Sequence, residues 1–569
     1  MRLRPASVGC RAGRKEANAA DAKAAAWAVA TQAAASVSAS DLRTKATANK
    51  GQGLVDPGAT MELDDEDVVG MHKREHRNKI VCTIGPSTDT FEGICQLAEA
   101  GMDVARLNFS HGTHETHGSV IDLVKRFNAV GRKPVALLLD TKGPEVRSGD
   151  VPKPIQLRVD SEIIFSIDRA TCTPEAASAK VPRVSVNYDA FITDVAVGDV
   201  LLVDGGIISL DVVEMSGTEV RCRAREDGEF KSRRHLNVRG KSATLPSITE
   251  KDWEDLKFGL DQGVDFYALS FVNGPECVIE LKNFLRAEQT KRKLTDAQVP
   301  RVLVKIESAQ SITCLKEILT AADGAMVARG DLGAELPVEE VPIIQREIIK
   351  LCWQMRKPVI VATNMLESMI EAPMPTRAEV SDIAIAVRER TDATMLSGET
   401  ANGNYPIRAV ATMGGVAAKV EKELDHMGTS GVPSSWLAGD HVTVPSGTLG
   451  DLFAAQACDL ANKLGEAVPI VVFTRTGNMA ITLSHFRPST TIYAFTNDQD
   501  VERKLCLYNG VRPILLGFDS DMEDTINSAL NTLHGHELVE RGKFCVVVQS
   551  GTAPIWRKAG THVLQVRTV

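Results

Sequence analysis

The sequence predicts an α/β protein: a (β/α)₈ barrel carrying a small inserted β-barrel domain, followed by a separate C-terminal α/β domain. Three observations predict it. Eight short apolar runs alternate with stretches of helical periodicity, the count and order that close such a barrel. The alternation breaks once, between the third and fourth runs, where about a hundred residues consist of short strand-like runs separated by Asp-Gly, Pro and Ser-Gly turn signals. After about residue 425 a new series of strands and helices begins. The chain therefore divides into residues 1–75, a leader and linker; 76–143 and 245–424, the two parts of the barrel; 144–244, the insertion; and 425–569, the C-terminal unit.

Residues 1–75 are rich in Ala, Ser and Thr, carry Arg2, Arg4, Arg11, Arg14 and Lys15, and hold few acids before Glu62. That composition fits an organelle transit peptide, with a merely disordered tail as the alternative and Glu62–Asp67 as a solvated acidic linker. From Lys79 the strand rhythm runs through Lys79–Ile84, Val104–Phe109, Val135–Thr141, Phe266–Phe271, Val302–Glu307, Ala325–Arg329, Val359–Thr363 and Thr394–Ser397. Thr90–Ala100, Pro337–Met355 and Thr376–Glu389 have helical spacing, and Gly101 is placed to end the first of them. No Gly-x-Gly-x-x-Gly turn follows the first strand, which favours the barrel over an open doubly wound sheet. Within the insertion, Ile155–Val159, Glu162–Ser166 and Val200–Val203 read as short strands; its position over the active face suits a lid. In the last unit, Pro469–Phe473, Thr490–Phe495, Arg512–Leu516, Phe544–Val548 and His562–Val566 are strands. Thr474-Arg-Thr-Gly477 follows the first of these, where a helix N-terminus could hold an anion or simply make an ordinary turn.

Composition narrows the function. A formal charge of -9 and a pI near 5.8 give no general attraction for nucleic acid. No run approaches the roughly 18 to 20 apolar residues that a membrane-spanning helix requires. The 11 cysteines are scattered, with no Cys-x-x-Cys pair, which fits a reducing compartment and argues against structural zinc.

The C-terminal ends of barrel strands form the active face in this architecture, and here those ends are polar. Leu303, Lys305 and Glu307 share one face of their strand, and the next strand ends in Arg329, Gly330 and Asp331. If the two strands are parallel neighbours, Glu307 and Asp331 converge near Lys305. Two carboxylates with an open approach suit Mg²⁺ shared with substrate phosphate, and Lys305 would be a compact positive charge aimed at a phosphoryl group. A purely structural ion pair is the competing reading, but a buried pair often contributes little net stability. Arg106, Asn108 and Ser110 have common parity at another strand end, and Asp140-Thr141 end the next. Neutral oxygens from Asn108, Ser110 and Thr141 with one carboxylate from Asp140 make a low-charge site suited to a monovalent cation.

These stretches, in series with Ile80–Gly85, Leu139–Arg147, Met326–Gly333, Ala362–Ser368, Pro375–Glu379 and Met395–Thr400, resemble the pyruvate kinase family across about residues 76–569. The leader, Ser232–Gly240 and Ser550–Trp556 resemble its plastid branch, in its beta-like subunit. The resemblance implies phosphoryl transfer from phosphoenolpyruvate to ADP, with Mg²⁺ (or Mn²⁺) on Glu307 and Asp331 and K⁺ on Asn108, Ser110, Asp140 and the Thr141 carbonyl. It implies that Lys305 stabilises the phosphoryl group in flight, that Arg106 binds phosphate, and that the backbone around Gly330 and Asp331 binds the substrate carboxylate. Thr363, with Ser397 and water, would protonate the enolate; Arg106, Asn108, His111 and Arg147 would flank ADP; Glu145 goes with K⁺ dependence. It further implies a homo- or hetero-tetramer of related subunits in the plastid stroma, with the cytoplasm as the alternative. Arg390-Thr391 replaces the family's usual Gly-Ala after a helix, where a local adjustment is expected. Gly477-Asn478-Met479 lacks the serine of the family's sugar-bisphosphate pocket, so activation by fructose 1,6-bisphosphate is not expected. Two other readings remain: a Mg²⁺-dependent barrel lyase or aldolase acting on pyruvate or phosphoenolpyruvate, and a non-catalytic regulatory subunit of a hetero-oligomer.

Overall fold

The structure, a computed structural model, describes residues 76–130, 133–144, 146–203, 206–238, 247–426, 448–465, 468–549 and 562–569. The leader, Glu145 and Ser550–Trp556 lie outside the described residues. The apolar runs form eight parallel strands: β1 (Lys79–Thr83), β2 (Met102–Asn108), β3 (Ala136–Asp140), β4 (Phe266–Leu269), β5 (Arg301–Ile306), β6 (Gly324–Ala328), β7 (Val359–Ala362) and β8 (Ala393–Leu396). Each pairs with its neighbours in chain order, and β8 returns to β1 to close the barrel.

Strand parity sorts the side chains into two layers. Val81, Val104, Ala136, Leu138, Phe266, Ala268, Leu303, Met326, Ile360, Ala362, Ala393 and Met395 form one buried set. Their neighbours of opposite parity, such as Cys82, Ala105, Leu139, Val304 and Val327, pack with helical residues such as Ile121, Leu281 and Ile348. The first set therefore fills the barrel and the second glues the helices to it. Lys305 has the parity of Leu303, so it continues the interior column upward.

The surrounding helices begin and end where their capping chemistry dictates. Thr249 and Asp252 make a reciprocal capping box at the start of the helix Glu250–Gln262, which ends at Gly263 in the left-handed conformation. Thr376 and Glu379 do the same for Arg377–Arg388. Arg390, two residues beyond that helix, has φ of +66°, so the chain keeps a left-handed residue there despite the side chain. The expected strand over Ala325–Arg329 stops at Ala328; Arg329 opens a short helix, Arg329–Glu335, and Gly330 and Asp331 lie in its first turn. The cause is visible in the arginine, whose guanidinium donates to the Ala362 and Thr363 carbonyls and to Asp382 and so pins the chain across the end of β7.

The insertion is a six-stranded sheet and a two-stranded pair, Ile155–Leu157 with Gly228–Phe230. Both contribute to one apolar core containing Leu157, Ile163, Phe165, Leu210, Val220 and Phe230. The C-terminal unit has strands β9 (Ile470–Phe473), β10 (Ile492–Thr496), β11 (Val511–Leu515), β12 (Phe544–Gln549) and β13 (Val563–Thr568), in the order β11-β10-β9-β12-β13 with β13 antiparallel. It docks beneath the barrel, at the N-terminal ends of the strands. Lys79 donates to the Val511 carbonyl at 2.7 Å, Arg487 meets Asp392 at 2.9 Å, and Arg503 meets Asp265 at 2.9 Å. The opposite end of the barrel is left to the insertion and the polar strand ends.

Candidate active site

Lys305 stands where the interior column of β5 reaches the open end of the barrel. Its ammonium lies 2.8 Å from Glu307 Oε1 and 3.2 Å from Asp140 Oδ1, and donates to Ser270 Oγ at 2.9 Å. Burial works against its charge, yet Asp140, Glu307 and Asp331 outweigh it and hold the amine above the usual lysine range. Glu307 is almost wholly buried, and its other oxygen accepts from the Phe271 amide at 2.5 Å. Burial raises its proton affinity, Lys305 opposes that, and the nearby Asp331 adds to it. Among the described residues, Glu307 Oε1 has the ion contact with Lys305 but no hydrogen bond of proper geometry. A buried carboxylate oxygen in that state, with a second acid close by, is chemically suited to a cation.

Across the barrel mouth, Asn108 on β2 is in register with Asp140 on β3. The Asn108 carbonyl oxygen Oδ1 accepts from the Ser110 amide at 3.2 Å, which turns the chain as it leaves the strand. Arg106 donates through Nε to Asp140 at 2.7 Å and through a terminal nitrogen to Thr83 at 2.8 Å. Burial alone would push Asp140 up, but Lys305 and Arg106 overcome it and hold its carboxyl below the usual range. Asp140 is thus ionised between two cationic side chains, with Thr141 buried beside it.

On the other side, Thr363 follows β7 with φ of +71°, and Asn364 comes next at +54°. A β-branched residue seldom occupies that region, and such strain concentrates at functional sites. The Thr363 hydroxyl donates to the Ala362 carbonyl at 2.7 Å and accepts from the Gly330 amide at 2.8 Å, so β7 and the turn after β6 hold one another. Ser397 follows β8; its amide donates to Glu399 at 2.6 Å, and its side chain makes no capping bond.

His111 and Arg147 lie further out. The His111 carbonyl accepts from the His117 ring at 2.8 Å. Arg147 sits where the chain enters the insertion, is bridged to His235, and donates to the Arg233 carbonyl at 2.9 Å. Arg233 itself pairs with Asp150 inside the insertion. In the C-terminal unit, the Gly477 amide donates to Thr474 Oγ1 at 2.9 Å, so the segment flagged as a possible anion site closes as a turn on itself.

Two residues in the cluster escaped the sequence reading. Ser270, just past β4, joins Lys305 to Thr141; Thr83, at the end of β1, holds Arg106. The available signal was position alone: each is a hydroxyl at the C-terminal end of a barrel strand.

Residues 75–410 match the model of the pyruvate kinase barrel domain and residues 451–566 that of the pyruvate kinase alpha/beta domain. The chain belongs to the pyruvate kinase family. It is 56% identical to "Pyruvate kinase isozyme G, chloroplastic" of Nicotiana tabacum, over 90% of this chain and 87% of that one. It is 55% identical to "Plastidial pyruvate kinase 2" of Arabidopsis thaliana, over 90% and 84%. Identity to "Pyruvate kinase isozyme A, chloroplastic" of Ricinus communis is lower, 42% over 83% and 80%. The crystal structure of a pyruvate kinase from Cryptosporidium parvum superposes with a TM-score of 0.76 at 32% identity, covering 88% of this chain and 97% of that one. The chain is therefore a plastid-type phosphotransferase of this family.

Proposed function

We propose that the chain transfers the phosphoryl group of phosphoenolpyruvate to ADP, giving pyruvate and ATP, in the plastid. The observation that carries the reading is the Lys305 ammonium set between Asp140 and Glu307, with Asp331 alongside, at the open end of a closed barrel. Glu307 and Asp331 would hold Mg²⁺ or Mn²⁺, and Asn108, Ser110, Asp140 and the Thr141 carbonyl would hold K⁺. Two carboxylates would leave most positions of a six-coordinate divalent cation to water and substrate oxygens. When bound, such a cation neutralises phosphate charge.

The protein's own part is positioning and charge. Lys305 presents an ammonium that remains protonated throughout the neutral range, suited to the phosphoryl oxygens as the group moves. Arg106, anchored by Asp140 and Thr83, keeps its guanidinium at the phosphate side. The Gly330–Asp331 turn would take the substrate carboxylate. Thr363 Oγ1, already in a hydrogen-bonded pair, would stand with Ser397 and water on the route of the proton to the enolate carbon. Arg106, Asn108, His111 and Arg147 would flank ADP, with the insertion closing above.

Assembly with related subunits into a tetramer is proposed from the family resemblance; Val338, Ile343 and Ile385 on or beside the outer barrel helices, and Phe544 and Val566 along β12 and the edge strand β13, are exposed apolar side chains that such interfaces could cover. Pyruvate formation by the purified chain, with phosphoenolpyruvate and each of ADP, Mg²⁺ and K⁺ withheld in turn, tests the reading. Turnover requiring all three is expected. Consumption of phosphoenolpyruvate without ADP would indicate a lyase, and no turnover by the chain alone a regulatory subunit.

A further inference from the structure

The geometry points to Ser270 as the positioning residue that fixes the Lys305 amine while its two carboxylate partners are engaged elsewhere. The assignment rests on the phosphoryl-transfer reading above. An ammonium has three N–H donors and no acceptor, and among the described residues it makes a hydrogen bond to Ser270 and ion contacts with Asp140 and Glu307. Asp140 and Glu307 are also the acids proposed for the monovalent and divalent cations. Once each carboxylate faces a cation, its hold on the amine weakens, and those N–H groups become available to phosphoryl oxygens. Ser270 is the uncharged partner among the described residues, and it is left to hold the nitrogen in place.

Its own hydrogen bonds make the hydroxyl a directed anchor. Because Lys305 can only donate, Ser270 Oγ accepts from it and has a single proton left to give. The Thr141 carbonyl lies 2.6 Å from Oγ and Asp140 Oδ1 lies 3.3 Å away, so the proton belongs to Thr141. The Ser270 amide in turn donates to Thr141 Oγ1 at 3.1 Å, giving the two residues a double link. Ammonium, hydroxyl and carbonyl thus form one polarised chain from the phosphoryl lysine to a proposed K⁺ ligand. Ser270 is 0% exposed, so both bonds lie out of reach of bulk solvent. The approach of the two loops depends on Gly143, where φ is +71° and a Cβ would stand 2.8 Å from Ser270 Cβ.

The test uses Ser270→Ala, Ser270→Cys and Ser270→Thr in the full chain. Readouts are kcat, calorimetric affinity for phosphoenolpyruvate with Mg²⁺ and K⁺ but no ADP, and the melting midpoint. Loss of the anchor is expected to lower kcat by about tenfold or more in the Ala and Cys variants and to weaken phosphoenolpyruvate binding by a similar factor, with restoration in the Thr variant. A merely structural serine would lower the melting midpoint and leave kcat and affinity per folded molecule unchanged. Folded Ala or Cys variants within about twofold of the unsubstituted chain in both readouts, or a folded Thr variant as impaired as Ala, would overturn the assignment. Absence of turnover in the unsubstituted chain sinks the phosphoryl-transfer reading instead, so the two failures are separable.

Discussion

Replacing Lys305 by Met removes the charge while keeping most of the side-chain volume. At the observed 3.2 and 2.8 Å, and with an effective dielectric constant near 20, its Coulomb attraction to Asp140 and Glu307 is about 5 and about 6 kcal/mol before desolvation is set against it. Folding loses far less than that sum. Glu307, whose proton affinity burial already raises, takes up a proton, and Asp140 keeps Arg106 at 2.7 Å. The transition state has no such recourse, because the ammonium lies between Asp140 and Glu307, the acids proposed to face the cations. We expect kcat to fall by about 100-fold or more, which corresponds to about 2.7 kcal/mol of lost transition-state stabilisation. A coupled assay for pyruvate, with far-ultraviolet circular dichroism to verify folding, measures it. Turnover within about threefold of the unsubstituted chain would refute the role given to this lysine.

Other consequences concern the frame beneath the site. Asp103 holds Lys133 at 2.9 Å and Lys79 at 3.6 Å and accepts the Ile80 amide at 3.0 Å. Asp103→Asn leaves Lys79 buried beside a neutral amide and should cost about 3 kcal/mol, seen as a lower urea midpoint; an unchanged midpoint would contradict this. Burial, with Arg487 and Arg356 nearby, lowers His485 to about 3. A depressed folded-state value contributes stability that is complete above the unfolded value near 6.5 and is lost as pH falls toward 3. Between pH 6.5 and 5 the loss is about 2 kcal/mol, and His485→Asn should flatten that decline; an identical slope in the variant would count against it. Gly143→Ala forces a Cβ to within 2.8 Å of both Ser270 and Phe271 at a positive φ. It should lower activity together with stability, and a fully active, equally stable variant would show that the contact is not needed.

Much of this was legible in the sequence because barrel geometry converts parity into address. Once Leu303 was placed inside, Lys305 and Glu307 had to point toward the mouth, and Arg106, Asn108 and Asp140 followed by the same rule on their own strands. Asp331 was harder. Its apolar run stops at Ala328, and only the bonds of Arg329 across β7 explain why the acid sits on a helical turn. Ser270 and Thr83 were invisible as chemistry, since a single hydroxyl at a strand end is most often a turn former. Their importance comes from partners far along the chain: Ser270 meets Thr141 across 129 positions, and Thr83 meets Arg106 across 23. The left-handed Thr363 could not be read either, because backbone strain at a β-branched residue is imposed by tertiary contacts that no local pattern records.

Glu307 and Asp331 are proposed to share one divalent cation beside Lys305. Titration of Mn²⁺ into the substrate-free chain, followed by electron paramagnetic resonance of the free ion, tests it most directly. One tight site per chain is expected, weakened by about tenfold or more in Glu307→Gln and in Asp331→Asn alike. Two folded variants that bind Mn²⁺ as tightly as the unsubstituted chain would contradict it.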